Sequence, residues 1–155
     1  MLEKIILVLL FGLLGLFVGK ILAKRMKLQE KYFEELARFC DVLLSDVLIE
    51  HNGVSGVISS FDYHSEEFKQ DAISYSKTKN IKINKIVSRK YRYVAEDVFK
   101  AIGAFDESVQ YEILKNKRDI VLQTATEYKG RVKKEYSAMI KLGFLFGICI
   151  GVLMI

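Results

Sequence analysis

The sequence of 155 residues contains no proline, no tryptophan, only two cysteines and only two histidines. Because proline interrupts helices and marks the turns of β-rich folds, its absence favours long uninterrupted helices over a turn-rich β fold. Cys40 and Cys149 lie far apart and belong to no ligand spacing, so we expect neither a disulfide nor a metal site. His51 and His64 each stand alone, outside any metal-ligand pattern.

Sequence motifs that carry catalysis are also missing. No glycine-rich loop ends in the Lys-Ser or Lys-Thr pair that binds nucleotide phosphates. The carboxylate pairs Glu66-Glu67 and Glu96-Asp97 consist of adjacent residues, which point apart on a helix and form no shared acid–base site. We therefore expect that the protein is not an enzyme and has no catalytic residue, cofactor or metal.

What the sequence does have is an apolar run at each end. The last one, Leu142 to Ile155, reads LGFLFGICIGVLMI and carries no charge. With four residues before it, it forms a helix of about 27 Å, close to the roughly 30 Å of a bilayer core. Gly143, Gly147 and Gly151 recur every four residues, so they share a helix face that another helix can approach closely. The alternative for this run is a buried core helix.

The first apolar run, Ile5 to Ala23, is interrupted only by Lys20 and repeats the same signal. A cleaved signal peptide is the alternative, but Ile21-Leu22-Ala23 is a poor cleavage site. Gly15 and Gly19 form a GxxxG pair, a spacing that favours helix pairing in membranes. The spacing leaves open whether the two end helices pair with each other or between protomers.

Basic residues adjoin both apolar runs on the side of the chain's middle. They are Lys24, Arg25, Lys27, Arg131, Lys133, Lys134 and Lys141. The positive-inside rule therefore places the middle of the chain in the cytoplasm and both termini across the membrane. The predicted organisation is a transmembrane helix over residues 1–23, a cytoplasmic helical domain over 24–137 and a second transmembrane helix over 138–155.

The central residues show the three- and four-residue apolar spacing of helices, which predicts an all-α bundle. We expect helices over 28–49, 54–61, 65–76 and 88–102, with the last helix running from Asp106 to the C-terminus. The first of these helices is predicted to end at His51-Asn52-Gly53. Ser65 and Asp106 are predicted to cap the helices that follow them, and Gly103 is predicted to end the helix before it. The alternating stretch KTKNIKINK over 77–85 has no β partner and is predicted to be a loop or a lone extended segment.

Apolar stripes predict which faces of these helices are buried. On the helix over 28–49, the residues predicted to be buried are Leu36, Phe39, Cys40, Leu43, Leu44 and Val47. Glu34, Glu35, Arg38 and Asp41 lie on other faces of this helix. On the fourth helix, the residues predicted to be buried are Tyr91, Val94, Ala95, Val98, Phe99 and Ile102. On the last they are Val109, Ile113, Ile120, Leu122 and Tyr128.

One polar feature remains, a run of cations around two tyrosines, Tyr91 and Tyr93. It contains Lys77, Lys79, Lys82, Lys85, Arg89, Lys90 and Arg92. Such a mixture binds RNA when bases stack on the aromatic rings. It is also typical of a solvated basic face over buried tyrosines, or of a docking surface for an acidic protein or lipid phosphates. We interpret Lys82, Lys85, Arg89, Lys90 and Arg92 as candidate contacts for a protein partner, and expect no nucleic acid.

The layout and the last third of the chain resemble the stage III sporulation protein AB family of bacterial membrane proteins. Residues 102–106, Ile-Gly-Ala-Phe-Asp, followed by Gln110, look like the family's Leu-Gly-x-x-Asp-x-x-x-Gln corner. Residues 139–147, MIKLGFLFG, look like its lysine-leucine-glycine start of the last span. The family usually has Thr-Pro-Leu after its first long helix, where this chain has His51-Asn52-Gly53-Val54.

This resemblance implies a non-enzymatic platform subunit of a sporulation or secretion-type complex that crosses the cell envelope. It implies a location in the bacterial inner membrane or outer forespore membrane, in contact with lipid, a secretion-type ATPase and other membrane subunits. Self-association is left open, and the resemblance brings no catalytic or ligand residue. The alternative is a stand-alone membrane-anchored adaptor whose basic cytoplasmic patch binds RNA or anionic lipid.

Overall fold

The computed structural model describes residues 2–47, 53–102 and 107–154. They form five helices: α1 (Leu2–Ser45), α2 (Gly53–Ser60), α3 (Glu66–Thr78), α4 (Arg89–Ala101) and α5 (Glu107–Leu153). No strand occurs within these three ranges, so the prediction of an all-α fold is confirmed. The absence of proline allows α1 and α5 to run for 44 and 47 residues.

The chain divides into two compact units. One, called here the helix pair, contains Met1–Lys27 and Tyr128–Ile155; the other, the central unit, contains Leu28–Glu127. The two predicted membrane spans, residues 1–23 and 138–155, both fall within the helix pair. Both long helices contribute to both units, since α1 and α5 continue without a break past Lys27 and Glu127.

In the helix pair, the amino-terminal part of α1 packs against the carboxyl-terminal part of α5. By length and composition, both helices contain stretches that can cross a membrane, and only 11% of each such stretch is buried. Large apolar side chains therefore point outward along both helices, among them Leu13, Phe17, Leu142 and Phe146, which are 65%, 63%, 64% and 72% exposed.

The core of the central unit is an aromatic cluster around Phe68 of α3. This fully buried ring lies 5.5 Å from Tyr32 and 5.4 Å from Phe39 of α1, measured between ring centroids. It also lies 6.3 Å from Phe99 of α4, in a stacked arrangement. Because edge-to-face and offset-stacked rings attract beyond their buried area, this cluster joins α1, α3 and α4 into one core.

Local signals place the shorter elements as predicted. Ser65 caps α3, and its hydroxyl oxygen accepts a hydrogen bond from the Phe68 amide at 3.3 Å. Lys79 ends α3 in the left-handed conformation, with φ of 54°, and its amide donates to the Tyr75 carbonyl at 2.8 Å. Of the alternating stretch, residues 77 and 78 belong to α3 and residues 79–84 have no regular secondary structure, so the loop prediction is confirmed from residue 79 onward.

The structure corrects the predicted burial of several side chains. Glu35, which is predicted to lie off the apolar stripe of α1, is buried and only 4% exposed. On α5, Val109, Ile120 and Leu122 are exposed, which contradicts their predicted place in the apolar stripe. The buried face instead follows positions seven, four and three residues apart, which share one side of a helix. Those positions are Leu114, Val121, Ala125 and Tyr128.

Some predicted turn positions lie outside the described residues. These are His51 and Asn52 after α1, and Gly103 and Asp106 between α4 and α5. Most of the corner at residues 102–106, on which part of the family resemblance depends, also lies outside them.

Candidate functional site: a glycine-lined helix pair and a basic segment

The glycines singled out in the sequence lie where α1 and α5 approach each other. A Cβ atom at Gly15 would lie 2.2 Å from the Gly143 carbonyl oxygen and 2.9 Å from the Gly147 Cα. At Gly143 it would lie 2.5 Å from the Gly15 carbonyl oxygen and 3.0 Å from the Gly19 Cα. These distances are to backbone atoms, which cannot rotate away, so only hydrogen fits at this contact.

The contact extends over several turns in both directions. A Cβ atom at Gly19 would lie 2.8 Å from the Met139 carbonyl oxygen, and a Cβ atom at Gly147 would lie 2.2 Å from the Phe11 carbonyl oxygen. At Gly151 it would lie 2.9 Å from the Val8 Cα. As residue numbers rise along α1, those of their contacts on α5 fall, so the two helices are antiparallel.

All five predicted glycines, Gly15, Gly19, Gly143, Gly147 and Gly151, are therefore brought together in one interface. Of the two pairings that the sequence leaves open, the structure contains the one within a single chain. Gly130, on an exposed part of α5, has no heavy atom within 4 Å of the same hypothetical Cβ. The close approach is thus a property of the paired region and not of every helical glycine in this chain.

An open apolar groove of about 630 Å³ runs along one side of the helix pair. Its floor contains four glycines of the helix contact, Gly15, Gly19, Gly143 and Gly147. Its walls are larger apolar side chains from both helices: Phe11, Leu14, Val18, Leu22, Met139, Leu142, Phe146 and Ile150.

The basic segment, defined as Lys77–Arg92, contains seven cations and no carboxylate. It includes the end of α3, the loop after it and the first turn of α4. Among the predicted partner contacts, Lys82, Lys85, Arg89 and Lys90 are exposed. Arg92 is half-buried, and its guanidinium donates to the Val87 carbonyl at 3.3 Å. The structure thus keeps four of the five candidates on the surface and uses the fifth within the fold.

The aromatic residues of this region have different environments. Tyr91 and Phe99 are 6% and 1% exposed, as their positions in the α4 stripe predict. The Tyr91 hydroxyl donates to the Glu127 carboxylate and accepts a hydrogen bond from Lys90 Nζ at 2.9 Å. Tyr93, which the solvated-face reading placed in the core, is instead 59% exposed. One ring near the cations is therefore accessible and the other two are not.

The loop of the basic segment is held by a buried carboxylate that sequence reasoning did not identify. Asp71 of α3 accepts a hydrogen bond from the Asn84 amide and another from the Tyr32 hydroxyl, each at 2.8 Å. Burial raises the pKa of Asp71, although both hydrogen bonds act to lower it. Burial, and then the nearby Asp71 charge, raise the pKa of Tyr32. The partners lie 39 and 13 residues from Asp71, so no local pattern could reveal them.

Buried Glu35 links α1 to the segment before α3. One carboxylate oxygen accepts a hydrogen bond from the His64 amide at 2.6 Å. The His64 ring lies on the surface, where its Nδ1 is 3.0 Å from the Arg38 guanidinium. Burial, and then the charge of Glu35, raise the pKa of Tyr63 to about 12. These contacts give His64 and Glu35 roles in positioning the chain ahead of the Ser65 cap.

Reactive and metal-binding side chains are dispersed. Cys40 is fully buried on α1, and burial raises the pKa of its thiol to about 12. Cys149 is exposed on α5. In the part of the chain that the structure describes, no three His, Cys, Asp or Glu side chains are grouped to hold a metal ion.

Comparison with known proteins adds no relative: no protein-family model, no curated protein and no solved structure matches the chain.

Proposed function

We propose that the protein is a membrane-anchored, non-enzymatic platform subunit, with the helix pair in the bilayer and the central unit in the cytoplasm. The observation that carries this proposal is the outward-facing apolar surface of α1 and α5. A soluble protein rarely exposes such a continuous apolar patch, whereas a transmembrane hairpin does. The low burial of both stretches argues against the core helices of a soluble domain.

The glycine contact supports the same reading. In lipid, helices associate through close packing rather than through exclusion of water, and small residues make that packing possible. Backbone atoms of α1 and α5 approach within the space that a single methyl group would fill. A cleaved signal peptide would have no reason to pack against the last helix of the mature chain. We propose that the first apolar run stays in the protein as a span, and its close packing against α5 supports this over cleavage.

The cellular role rests on the resemblance to the stage III sporulation protein AB family. We propose a bacterial inner or outer forespore membrane location, in a sporulation or secretion-type complex. The central unit then faces a secretion-type ATPase and other membrane subunits. Charges in the exposed part of the basic segment would steer an acidic partner surface towards this unit and set its orientation.

Recovery of the partner ATPase from membranes tests this role. Reversal of charge at Lys82, Lys85 and Arg89 is expected to abolish recovery, because all three are exposed and stand in a segment without carboxylates. A matched control reverses three exposed cations elsewhere in the central unit, Lys31, Lys100 and Lys115, and should retain the partner. Normal recovery after reversal in the basic segment would contradict the assignment of this surface.

A second candidate is an adaptor that binds RNA through the same segment, and the exposed Tyr93 ring is the observation that favours it. Against it, Tyr91 and Phe99 are buried and cannot stack on bases. We therefore expect single-stranded RNA to bind weakly, with a Kd of roughly 10⁻⁴ to 10⁻⁶ M, by analogy with non-specific DNA binding. Tight, sequence-specific binding that is lost in Tyr93→Ala would favour the adaptor instead.

A further inference from the structure

The positive charge of this protein belongs to the helix pair and not to the central unit. The helix pair contains ten basic and two acidic residues, whereas the central unit contains fourteen basic and seventeen acidic residues. The net charge of +5 is therefore the sum of a strongly basic helix pair and a slightly acidic central unit. This contrast makes the helix pair the part of the protein with the larger attraction for an anionic surface.

Six of these cations form a band at one level of the helix pair. Gly19 lies against Met139 and Ile140, and Lys27 Nζ lies 5.2 Å from the centre of the Tyr136 ring. Since the helices are antiparallel and rise equally, residues 24–27 of α1 lie level with residues of about 131–135 of α5. The band, called here the collar, consists of Lys24, Arg25, Lys27, Arg131, Lys133 and Lys134.

The collar is suited to contact a surface of negative charge. All six of its side chains are exposed, and Glu135 is the only carboxylate between Tyr128 and the C-terminus. Lys20 and Lys141 lie deeper along the apolar helices, where long cationic side chains reach back towards the head groups. Clusters of four to eight such cations beside a membrane span attract anionic lipids.

The apolar groove ends next to the collar. Its last lining residues at that end are Leu22 of α1 and Met139 of α5, each within about one or two helical turns of collar residues. From Leu22 to Phe11 the groove extends about 17 Å, close to half of a hydrocarbon core of roughly 30 Å. An acyl chain in this groove would therefore span one leaflet and place its phosphate among the collar cations.

We propose that the groove and the collar together form a binding site for an anionic phospholipid of the adjacent leaflet. The acyl chain lies over the glycine floor, and the collar holds the charged head group. This inference rests on the proposed membrane span, but not on the platform role or on any protein partner. A zwitterionic lipid can fill the groove equally well, so the preference for an anionic lipid comes from the collar.

The test uses the full chain in vesicles of phosphatidylcholine and phosphatidylglycerol, with a trace of either lipid carrying a spin label. Electron paramagnetic resonance then measures the immobilised fraction of each labelled lipid. We expect the wild type to favour phosphatidylglycerol by about fivefold, the effect of one Lys or Arg at an anionic surface. Replacement of all six collar cations by Gln should bring the ratio to about one, while Gln at Lys82, Lys85 and Arg89 should leave it unchanged.

Two neighbouring leucines provide a matched test of the groove. Leu14 lines it and Leu13 does not, although their side chains are similarly exposed, at 53% and 65%. Leu14→Trp should fill the groove and lower the immobilised phosphatidylglycerol, whereas Leu13→Trp should not. Equal effects of these two variants, or a preference that survives loss of the collar charges, would overturn the proposal. Absence of any immobilised lipid in the wild type would overturn the membrane span as well.

Discussion

Replacing Gly147 by alanine should weaken the pairing of α1 and α5. The new Cβ would lie 2.2 Å from the Phe11 carbonyl oxygen, where ordinary contact begins at 3.4 Å, so the helices must separate by about 1 Å. A gap of that size removes a quarter to a half of the dispersion energy of the atoms that line it. Overpacking of this kind typically costs about 1–3 kcal/mol. The larger Gly147→Leu should weaken pairing further and still insert, because leucine favours the membrane.

Fluorescence energy transfer between labels at Glu3 and Leu153 measures this pairing in detergent during titration with SDS. Both residues belong to the helix pair, and the contact between Val8 and Gly151 brings their ends together. Cys40 and Cys149 are both replaced by alanine so that only the introduced cysteines react. The matched control is Gly130→Ala, where a Cβ meets nothing within 4 Å and pairing should be unchanged. Equal titration midpoints for the two alanine variants would refute the reasoning.

Three further predictions concern the central unit. Phe68→Ala should destabilise it by about 3–5 kcal/mol, measured by hydrogen exchange in the full chain, because this ring of α3 packs against both α1 and α4. Burial raises the pKa of Asp71, so its ionisation opposes folding. The free energy of unfolding of the wild type, compared with that of Asp71→Asn, should therefore fall as pH rises above 3.8. A relative rise in this free energy would contradict the prediction. Cys40, with a pKa of about 12, should resist iodoacetamide at neutral pH until the unit unfolds, and fast modification of the native protein would count against its burial.

The long helices could be predicted from the sequence because their signals are local. Apolar spacing and the Ser65 cap act within a few residues, and the predicted bounds of α2, α3 and α4 lie within two residues of those observed. The α4 stripe was also recognisable, since Val94, Val98 and Phe99 recur at helical spacing and are buried. The glycine spacing indicated a close helix contact without identifying the partner helix.

The missed features depend on distant parts of the chain. Glu35 looks like a surface residue, yet one oxygen of its buried carboxylate accepts a hydrogen bond from the His64 amide, 29 residues away. Asp71 likewise has its role because Tyr32 and Asn84 meet it in three dimensions. On α5, several apolar stripes can be drawn through the same sequence, and the neighbouring helices decide which one is buried. Local periodicity cannot make that choice.

Topology is the central claim, because both the platform role and the lipid site require two membrane spans. Alkaline phosphatase is active only outside the cytoplasm. Its activity when fused near Asn80 or at the C-terminus therefore shows on which side of the membrane each of these positions lies. The positive-inside rule predicts an inactive fusion at Asn80 and an active fusion at the C-terminus. Activity at Asn80 with none at the C-terminus would contradict the orientation, and equal activity at both positions would contradict a second span.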